Sequence, residues 1–442
     1  MPLSIYSAPG VLPQGPHHAS KSLVTGRFCE LEALVRVLLV SYGSRGDVEP
    51  LAGLTVRLRE LGLRVRACVP PDREFAELLT GVGAEVVPFG SSVRALVTGV
   101  QKPSVTDASR IVAEMVAGHF GTVAAAAEGC AALVATGLMP AGARSVAERL
   151  GIHYLPVVFQ HRVLPSPRYP PLPRPGPPLP PEVTDNGTLW ELDAERVNAL
   201  YGQALDTHRT AAGLPPVDNV RDHVLGDQVW LASDPVLDPR QEVFGLDVVQ
   251  TGAWILPDQR PLPAELTTFL DAGAPPVYVG FGSMPMHAST DIARLAIEAV
   301  RAQGRRVVIG RGWADLARID GRDDCFVIGE VNHQALFPRV AAVVHHGGAG
   351  TTSTAARAGA PQLVVPQIAD QPYWASRVAE LGIGAAHDGP APTFDSLSAA
   401  LRTALAPETR ARARARTVAG AVRTDGAAVA AKSLLDRVTR IG

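Results

Sequence analysis

The chain has 442 residues, of which 46% are hydrophobic and 19% are charged. That length exceeds one ordinary hydrophobic core and predicts two or three domains. With 41 Lys and Arg against 43 Asp and Glu, the formal net charge is -2, which argues against a basic surface for nucleic acid. No apolar run approaches the roughly 18 residues that a membrane-spanning helix needs, so a membrane span is not expected.

The N-terminal segment and the cysteines indicate the cellular compartment in which the protein is expected. The segment 1–34 has neither a contiguous apolar signal core nor a small-residue cleavage site, so export is not expected. Because Val35 opens a good strand and a valine codon can start translation, we expect residues 1–34 to be a disordered extension or an over-called start. The four scattered cysteines, at positions 29, 68, 130 and 325, indicate neither a disulfide framework nor a zinc site. A reducing cytoplasm is the expected location.

Short β-branched runs alternate with helical periodicity over the first half of the chain. Strands are predicted at 35–40, 65–69, 84–89, 132–137 and 153–159. After the first of these, leucines at positions 51, 54, 58 and 61 predict one buried face of a helix. Steady alternation of strand and helix predicts a parallel sheet that is covered on both faces.

A proline-rich stretch then interrupts the alternation. Residues 164–181, LPSPRYPPLPRPGPPLPP, contain ten prolines and can form neither a helix nor a central strand. This composition predicts a stiff surface loop. A loop of this kind is compatible with a wall over a binding cleft.

The alternation resumes in the second half of the chain. We expect a helix near 290–303 and strands within the segments 275–283, 305–310, 324–329, 341–346 and 362–366. The whole pattern predicts an α/β fold with two Rossmann-like domains, whose parallel sheets face each other across an interdomain cleft. The expected bounds are 35–235 and 264–424 for the domains, 236–263 for a linker and 425–442 for a final helical segment.

One strand-to-helix corner, HHGGAGTT (345–352), exposes an unusual amount of bare backbone. It follows the apolar run AAVV, and its three glycines allow a sharp turn and a close approach to a ligand. Free N–H groups at the start of the next helix favour an anion, most naturally a diphosphate. Glycine-rich corners also occur merely to pack a helix on a sheet, so the glycines alone leave both interpretations open.

Two familiar phosphate-binding motifs are missing. The corner is not GxxxxGK[ST], so no P-loop lysine is present for a γ-phosphate. The first strands of the two halves lead into GSRGD and GFGSMP rather than into GxGxxG. Neither a P-loop NTPase nor a dinucleotide-binding dehydrogenase is therefore indicated.

Five motifs together resemble a known family. They are VLLVSYGSRGDVEPL (37–51), GFGS (280–283), GEVNHQALF (329–337), HHGGAGTT and VVPQIADQPYW (364–374). In this order and spacing they are similar to the vancomycin group of GT-B glycosyltransferases (family 1), and most of all to its aglycone glucosyltransferases. The resemblance runs from Val35 to the C-terminus and implies an acceptor-binding N-terminal domain and a C-terminal domain that binds a nucleotide sugar.

The resemblance also assigns roles to particular residues of the C-terminal domain. It implies a cradle for the donor's diphosphate made of Gly348, Ala349, Gly350, Thr351, His346 and Ser283. Val331 would meet the uracil or thymine through its backbone, and Asp370 and Gln371 would hydrogen-bond the sugar hydroxyls. Thr354 stands where related plant enzymes have a glutamate for the ribose, so that role does not transfer.

In the N-terminal domain, the resemblance makes Asp47 the general base and places Ser44 beside the donor. Taken without the family, Asp47 is interpreted as the cap of a helix that begins near Glu49. An unperturbed Asp has a pKa of about 3.9 and a phenol of about 10, so full proton transfer is uphill by about 8 kcal/mol. Proton transfer must therefore accompany attack on the anomeric carbon, and burial would help by raising the pKa of Asp47.

The leaving nucleotide diphosphate would be stabilised by the helix end and by His346. Single displacement predicts inversion at the anomeric carbon. The sequence contains no DxD motif, so no metal is implied, and no cofactor is expected because the nucleotide sugar is a substrate. His153 and His161 are interpreted as packed histidines or as parts of an acceptor pocket, and His333 and His345 as residues that orient loops.

The expected activity is transfer of a hexose, with UDP-glucose favoured and a dTDP-deoxysugar as the other donor. The acceptor would be a hydroxyl, most easily a phenol, of a glycopeptide- or polyketide-type antibiotic aglycone, contacted by loops that include 90–110 and 160–190. The alternatives are a non-hydrolysing nucleotide-sugar epimerase and a non-catalytic sugar-nucleotide-binding partner. A monomer is expected, with no nucleic-acid or membrane partner.

Overall fold

A computed structural model describes residues 35–99, 105–174, 177–284, 286, 291–406 and 410–439. The segment 1–34, with its expected disorder or over-called start, lies outside the described residues. So do residues 100–104 of the loop 90–110 that the sequence assigns to the acceptor.

Within the described residues, seven parallel strands form the first sheet in the order β3-β2-β1-β4-β5-β6-β7. Their bounds are β1 Arg36–Tyr42, β2 Arg64–Val69, β3 Glu85–Pro88, β4 Ala132–Gly137, β5 His153–Val158, β6 Gln228–Leu231 and β7 Asp247–Gln250. Leu39 of β1 pairs with Ala67 of β2 on one side and with Val134 of β4 on the other. Consecutive residues of β1 contribute to two different apolar cores, Leu39 to one and Leu38 to the other, so both faces of the sheet are covered.

Helices cover this first sheet on both faces. They are α1 Arg45–Glu60, α2 Arg73–Gly81, α3 Val93–Thr98, α4 Val105–Gly118, α5 Ala124–Ala127, α6 Ala143–Leu150, α7 Asn186–Ala211 and α8 Val220–Leu225, with a π-helical turn at His119–Val123 and a 3-10 turn at His161–Val163. The leucine face expected on the first helix is present, because Leu51, Leu54 and Leu58 are fully buried.

The second sheet, as far as the structure describes it, has six parallel strands in the order β10-β9-β8-β11-β12-β13. The strands are β8 Val277–Gly280, β9 Val307–Gly310, β10 Cys325–Ile328, β11 Ala342–His345, β12 Gln362–Val364 and β13 Gly384–Ala386. The helices are α9 Ala264–Asp271, α10 Ile292–Arg301, α11 His333–Leu336, α12 Ala349–Arg357, α13 Gln371–Glu380, α14 Phe394–Leu405, α15 Ala411–Ala419 and α16 Gly426–Thr439, with a 3-10 turn at Phe337–Arg339. The expected pair of parallel sheets is confirmed.

The connection between the sheets differs from the expected linker 236–263 in one respect. Strand β7 lies inside that segment and completes the first sheet by pairing with β6. It has only four residues, DVVQ, and its burial is uneven, so it lacks the continuous apolar run that marks a central parallel strand. The rest of the segment, from residue 251 to 263, contains no helix or strand.

The last helix packs against the first domain rather than the second. Ala430 and Leu434 of α16 are fully buried in the same apolar core as Leu54 and Leu58 of α1. The backbone approach is close, because a Cβ on Gly426 would lie 2.3 Å from the carbonyl carbon of Gly252. Only glycine permits this crossing, which joins the C-terminus to the N-terminal domain as the family pattern implies.

Strand order identifies where ligands are expected. The neighbours of β1 are β2 and β4, and the neighbours of β8 are β9 and β11, so the connections run in opposite directions on either side of β1 and of β8. In open α/β sheets, ligands bind at such switch points beyond the carboxyl ends of the strands. The GSRGD turn follows β1, and the HHGGAGTT corner ends β11, so both candidate motifs lie at switch points.

Candidate active site

The turn after β1 holds Asp47 by its own backbone. Helix α1 begins at Arg45, with Ser44 as its N-cap residue. Asp47 is therefore the third residue of the helix, and its Oδ2 accepts a hydrogen bond from Ser44 N at 2.9 Å. The idea that Asp47 caps a helix beginning near Glu49 is wrong in its placement, because the helix starts four residues earlier. The carboxylate does take a capping-box role, which fixes its position.

Gly43 makes room for that carboxylate. A Cβ on Gly43 would lie 2.2 Å from Asp47 Oδ2, so any other residue there would displace the acid. Burial raises the pKa of Asp47 to about 7, the hydrogen bond from Ser44 works against the rise, and the charge of Asp370 adds to it. A half-buried carboxylate with this pKa is suited to general-base chemistry near neutral pH.

The glycine corner after β11 is built for a tight turn. Gly347 has φ +94°, and a Cβ there would lie 2.7 Å from Val364 Cγ1. Gly348 is the N-cap residue of α12, and its carbonyl accepts the bond from Thr352 N at 2.9 Å. The N–H groups of the residues between them belong to the first helical turn, where no intrahelical acceptor exists. Ala349, Gly350 and Thr351 therefore present free helix N–H groups at the corner, and their binding of an anion stays a prediction.

His345 supports the corner from below. It is fully buried; Gly347 N donates to its Nδ1 at 3.1 Å, and its Nε2 lies 2.9 Å from Gln362 Oε1. Since Nδ1 accepts, the proton is on Nε2 and the ring is neutral. Burial lowers the pKa of His345 to about 3, which agrees with a neutral ring. The residue orients the loop, as expected from the sequence.

His346 lies on the ligand side of the corner. Its ring is enclosed by two glycines, since a Cβ would lie 3.2 Å from Cε1 if built on Gly282 and 2.6 Å from Nε2 if built on Gly348. Burial lowers the pKa of His346 to about 4. Its Nδ1 is enclosed without a hydrogen-bond partner among the described residues. An unpartnered polar ring beside a helix N-terminus is consistent with the predicted contact to a phosphate.

Ser283 reaches the same place from the neighbouring strand. It follows β8, which pairs with β11, and the turn there contains Gly282 at φ +56°. A Cβ on Gly282 would lie 3.2 Å from His346 Cε1, so the half-buried Ser283 is the residue that follows the point where this turn approaches the corner. The structure therefore brings together the residues predicted for the diphosphate.

Asp370 and Gln371 begin helix α13. Trp374 Nε1 donates to Asp370 Oδ2 at 2.8 Å, and burial raises the pKa of Asp370. Gln371 is buried, and its Oε1 accepts from the backbone N–H groups of Gln367 and Ile368, at 2.8 and 3.1 Å. Gln371 therefore orders the loop that precedes the helix, and its contact with a sugar stays a prediction.

Val331 lies in the loop between β10 and α11. It packs partly against the apolar core of the second domain. The next residue, Asn332, caps α11 by accepting from Ala335 N at 3.0 Å and donates to the carbonyl groups of Asp258 and Arg260 at 2.9 and 2.8 Å. These bonds fix the Val331 backbone, as a backbone contact to a base requires.

The chain is similar in sequence to known glycosyltransferases. Residues 315–431 match the family model described as erythromycin biosynthesis protein CIII-like, C-terminal domain. The chain is 57% identical over 408 residues to the vancomycin aglycone glucosyltransferase of Amycolatopsis orientalis, with 92% of this chain and 98% of that protein covered. This chain belongs to the vancomycin group of GT-B glycosyltransferases.

Other relatives of this glycosyltransferase extend the comparison. The dTDP-epi-vancosaminyltransferase of Amycolatopsis orientalis is 52% identical over 387 residues, with 86% of this chain and 92% of that protein covered. Among solved structures, the glycosyltransferase of kitacinnamycin superposes with a TM-score of 0.69 at 22% identity, covering 91% of this chain and 98% of that one. The calicheamicin glycosyltransferase CalG4 gives a TM-score of 0.64 at 19% identity, covering 92% and 99%. These two likenesses confirm the fold.

The glycosyltransferase joins its two halves with contacts that the sequence did not reveal. Arg45, next to the Asp47 turn, forms a two-bond ion pair with Glu330, next to Val331, with both N–O distances at 3.0 Å. Asp370 affects the pKa of Asp47 from across the cleft. The charge of the sugar-binding candidate in one domain therefore acts on the general-base candidate in the other.

A second set of contacts involves Tyr373, Asp238 and His161. Tyr373 OH donates to Asp238 Oδ1 at 2.6 Å, although the two residues are 135 positions apart. Tyr373 lies inside ADQPYW, which was the only sequence signal for it. His161 follows the carboxyl end of β5, whereas His153 is the first residue of β5 and lies at the amino ends of the strands. The interpretation of His153 as part of an acceptor pocket is therefore wrong, and its interpretation as a packed residue agrees with its position.

The described parts of the chain contain no helix long and apolar enough to cross a membrane. The longest, α7 with 26 residues, carries several charged side chains. In the same parts of the chain, no group of three or more His, Cys, Asp or Glu residues is arranged to hold a metal ion.

Proposed function

We propose that this glycosyltransferase moves glucose from UDP-glucose to a phenolic hydroxyl of a glycopeptide-type aglycone, with inversion at the anomeric carbon. The observation that carries the proposal is the placement of the Asp47 carboxylate, whose pKa burial raises to about 7, and of the glycine corner after β11 at the switch points of the two sheets. The name of the relative that is 57% identical, a vancomycin aglycone glucosyltransferase, supports this choice of sugar and acceptor. Nothing in the comparisons favours the epimerase alternative.

Asp47 would act as the general base on the acceptor hydroxyl. With its pKa near 7, transfer from a phenol of pKa about 10 is uphill by about 4 kcal/mol rather than the 8 for an unperturbed Asp. The remaining gap is small enough for a transfer that is concerted with attack on the anomeric carbon. The capping hydrogen bond from Ser44 N is made to Oδ2 of Asp47. It fixes the carboxylate without engaging Oδ1.

Departure of the nucleotide diphosphate would be assisted by the corner after β11. The N-terminal N–H groups of α12 carry a partial positive charge and are already oriented before the reaction begins. His346 and Ser283 border the same space and would donate to the phosphate oxygens. No metal ion is invoked, because the helix end and these donors supply the charge stabilisation.

The choice between uridine and thymidine donors depends on few contacts. A backbone contact from Val331 reads the polar edge that uracil and thymine share, so it does not separate them. Thr354, which stands at the position of the plant ribose glutamate, donates its hydroxyl to Gly350 O at 2.8 Å and so offers no carboxylate to the ribose. The relatives include a glucosyltransferase and a dTDP-epi-vancosaminyltransferase, and dTDP-glucose is therefore the second donor to test.

Two exposed apolar side chains support an apolar acceptor. Leu138, which follows β4, is 61% exposed, and Ile368, which follows β12, is 59% exposed. Both positions lie beyond the carboxyl ends of strands, one in each domain, where an aromatic aglycone would cover them.

The test is direct. The purified protein is incubated with UDP-glucose or dTDP-glucose and a panel of phenolic glycopeptide and polyketide aglycones, with and without EDTA. Products are followed by mass, and the proton coupling at the anomeric carbon gives its configuration. We expect a β-glucoside from the α-linked donor, at a rate that EDTA does not change. An α-linked product would contradict the single displacement, and loss of activity in EDTA would contradict the metal-independent chemistry.

A further inference from the structure

Asp238, in the loop between β6 and β7 of the first domain, is the centre of a buried polar network. It is fully buried, and its two oxygens accept four hydrogen bonds. Oδ1 accepts from Tyr373 OH at 2.6 Å and from His161 Nδ1. Oδ2 accepts from Ser233 Oγ at 2.6 Å and from His161 N at 3.1 Å. Four donors on two oxygens match the capacity of an ionised carboxylate.

The network joins the two domains. His161 follows β5 and Asp238 lies in the loop between β6 and β7, both in the acceptor-binding domain, whereas Tyr373 is in the first turn of α13 in the donor-binding domain. A further contact fixes the same helix to the β6–β7 loop, since Arg377 Nε donates to Leu237 O at 2.9 Å. The start of α13 is therefore held by a polar anchor from the opposite domain as well as by apolar packing.

The anchored turn is the one that presents Asp370. Tyr373 is three residues after Asp370, and its neighbour Trp374 donates to Asp370 Oδ2 at 2.8 Å. The preceding residue, Ala369, has φ +55°, an uncommon conformation for a side chain other than glycine. A turn with such backbone strain keeps its shape only when its surroundings hold it.

We propose that Tyr373 and Asp238 are positioning residues, which hold the first turn of α13 so that Asp370 meets the donor sugar. His161 completes the anchor from the acceptor side and orients the carboxylate of Asp238. This inference rests on the proposed function, because it assigns the network to recognition of the sugar and not of the nucleotide. The nucleotide corner after β11 contacts α13 through Gln371, and Ala349 and the ring of Tyr373 pack on the same apolar cluster. The Tyr373 hydroxyl instead bonds to Asp238, so removing the hydroxyl alone keeps the packing that supports the corner.

This division gives a measurable signature. Losing the Tyr373 hydroxyl should weaken binding of a nucleotide sugar but leave binding of the free nucleotide diphosphate unchanged. A hydrogen bond to a charged carboxylate supports an effect on the order of tenfold if the turn relaxes fully and about threefold if it relaxes in part. A residue with a merely structural role would change both affinities together.

The experiment measures dissociation constants by calorimetry for UDP-glucose and UDP, and for dTDP-glucose and dTDP, with the full-length protein. Tyr373→Phe removes only the hydroxyl. Ser233→Ala removes a donor to the same carboxylate on the side away from α13, and serves as the matched control. Tyr154→Phe, which removes a hydroxyl bonded to Val224 O at 2.9 Å, controls for loss of a buried tyrosine hydroxyl.

For Tyr373→Phe we expect the ratio of the sugar-nucleotide to the nucleotide dissociation constant to rise about threefold to tenfold, with an equal rise in KM for the donor. The two controls should leave the ratio at its wild-type value. An unchanged ratio in Tyr373→Phe, or equal weakening of both ligands, overturns the inference. A wild-type protein that binds neither sugar nucleotide contradicts the proposed function instead, so the two failures are distinguishable.

Discussion

The turn after β1 and the corner after β11 occupy equivalent places in their sheets but use opposite chemistry. The first presents a side chain: Gly43 has no Cβ, and the carboxylate of Asp47 occupies that space. The second presents backbone: Gly347 and Gly348 remove side chains so that the start of α12 is accessible. The same strand-to-helix geometry therefore presents a carboxylate in one domain and helix N–H groups in the other, and the position of the glycines decides which. In the proposed function the first is the base and the second is the anion site.

Electrostatics sharpens the contrast. Burial raises the pKa of Asp47 to about 7 and lowers the pKa of His346 to about 4. Both shifts favour the neutral form, as burial always does. At neutral pH, Asp47 exchanges its proton readily, whereas His346 stays uncharged and can act only as a hydrogen-bonding group. The proposed function therefore assigns proton transfer to the first region and charge stabilisation by dipoles to the second.

The largest expected effect separates the two regions by removing the base. Asp47→Asn keeps the size of the side chain and an oxygen for the bond from Ser44 N. We expect kcat to fall by about 10² to 10⁴ because general-base assistance is lost, with the dissociation constant for UDP unchanged. Steady-state kinetics and calorimetry measure the two quantities.

Glu49→Gln is the matched control for that variant. Glu49 lies on the same helix and is 42% exposed, so its loss should change kcat by less than about twofold. If Asp47→Asn retained full turnover, Asp47 would be a capping residue only.

A smaller effect is expected when backbone access is reduced at the second region. A Cβ on Gly350 meets no atom within 4 Å, so Gly350→Ala fits the unliganded fold. Replacing a helical glycine should raise the free energy of unfolding by up to about 1 kcal/mol. The new methyl group would nevertheless stand on the helix end, and we expect UDP to bind about tenfold more weakly. Thermal unfolding and calorimetry test this pair of opposite changes, and unchanged UDP affinity would place the diphosphate elsewhere.

The pH dependence tests the coupling between the regions. Only ionised Asp47 accepts a proton, so kcat/KM should rise with pH through about 7 and level off above it. Asp370→Asn removes a negative charge that disfavours ionised Asp47, and the midpoint should therefore move to lower pH. Profiles normalised to each variant's maximum separate this shift from weaker sugar binding. A midpoint that stayed in place or moved to higher pH would exclude the coupling.

The smallest effect is expected for the ion pair between Arg45 and Glu330. Their side chains are 30% and 51% exposed, so solvent screens the pair strongly. In a double-mutant cycle with Arg45→Gln and Glu330→Gln, we expect a coupling of about 0.2–1 kcal/mol in kcat/KM. The coupling should shrink as salt is added. Fully additive effects would show that the pair does not help to close the cleft.

The sequence was most informative where a single element carries the signal. The runs that became β1 and β11 are continuously apolar because parallel strands are buried on both faces, and the glycines after β11 identified the corner. Strands β6, β7 and β13 were not predicted, although β8 to β11 are no longer than β6 and β7. QVWL begins on a polar residue, DVVQ begins and ends on one, and GAA contains no β-branched or aromatic residue, so none of them reads as a strand by itself. The start of α1 was misplaced because Ser44 caps a helix whose first residues, Arg45 and Gly46, show no apolar periodicity.

Contacts between distant parts of the chain could not be predicted. The bond between Tyr373 and Asp238 and the ion pair between Arg45 and Glu330 depend on how the two domains pack, and no pattern in the sequence links the two members of either pair. The raised pKa of Asp47 depends on burial in the folded cleft and on Asp370, which lies 323 positions away by residue number. The sequence therefore predicted which chemical groups are present, whereas the fold determines their contacts and their pKa values.

The central claim is that Asp47 removes the acceptor proton while the donor lies on the corner after β11. The most direct measurement compares transfer rates of the wild-type protein and Asp47→Asn on aglycones whose phenol is made progressively more acidic by halogen substitution. We predict that the deficit of the variant is largest for a phenol with a pKa of about 10 and shrinks as that pKa approaches 7, because an ionised phenol needs no base. A deficit that stayed constant across the series would contradict the assignment of Asp47 as the base.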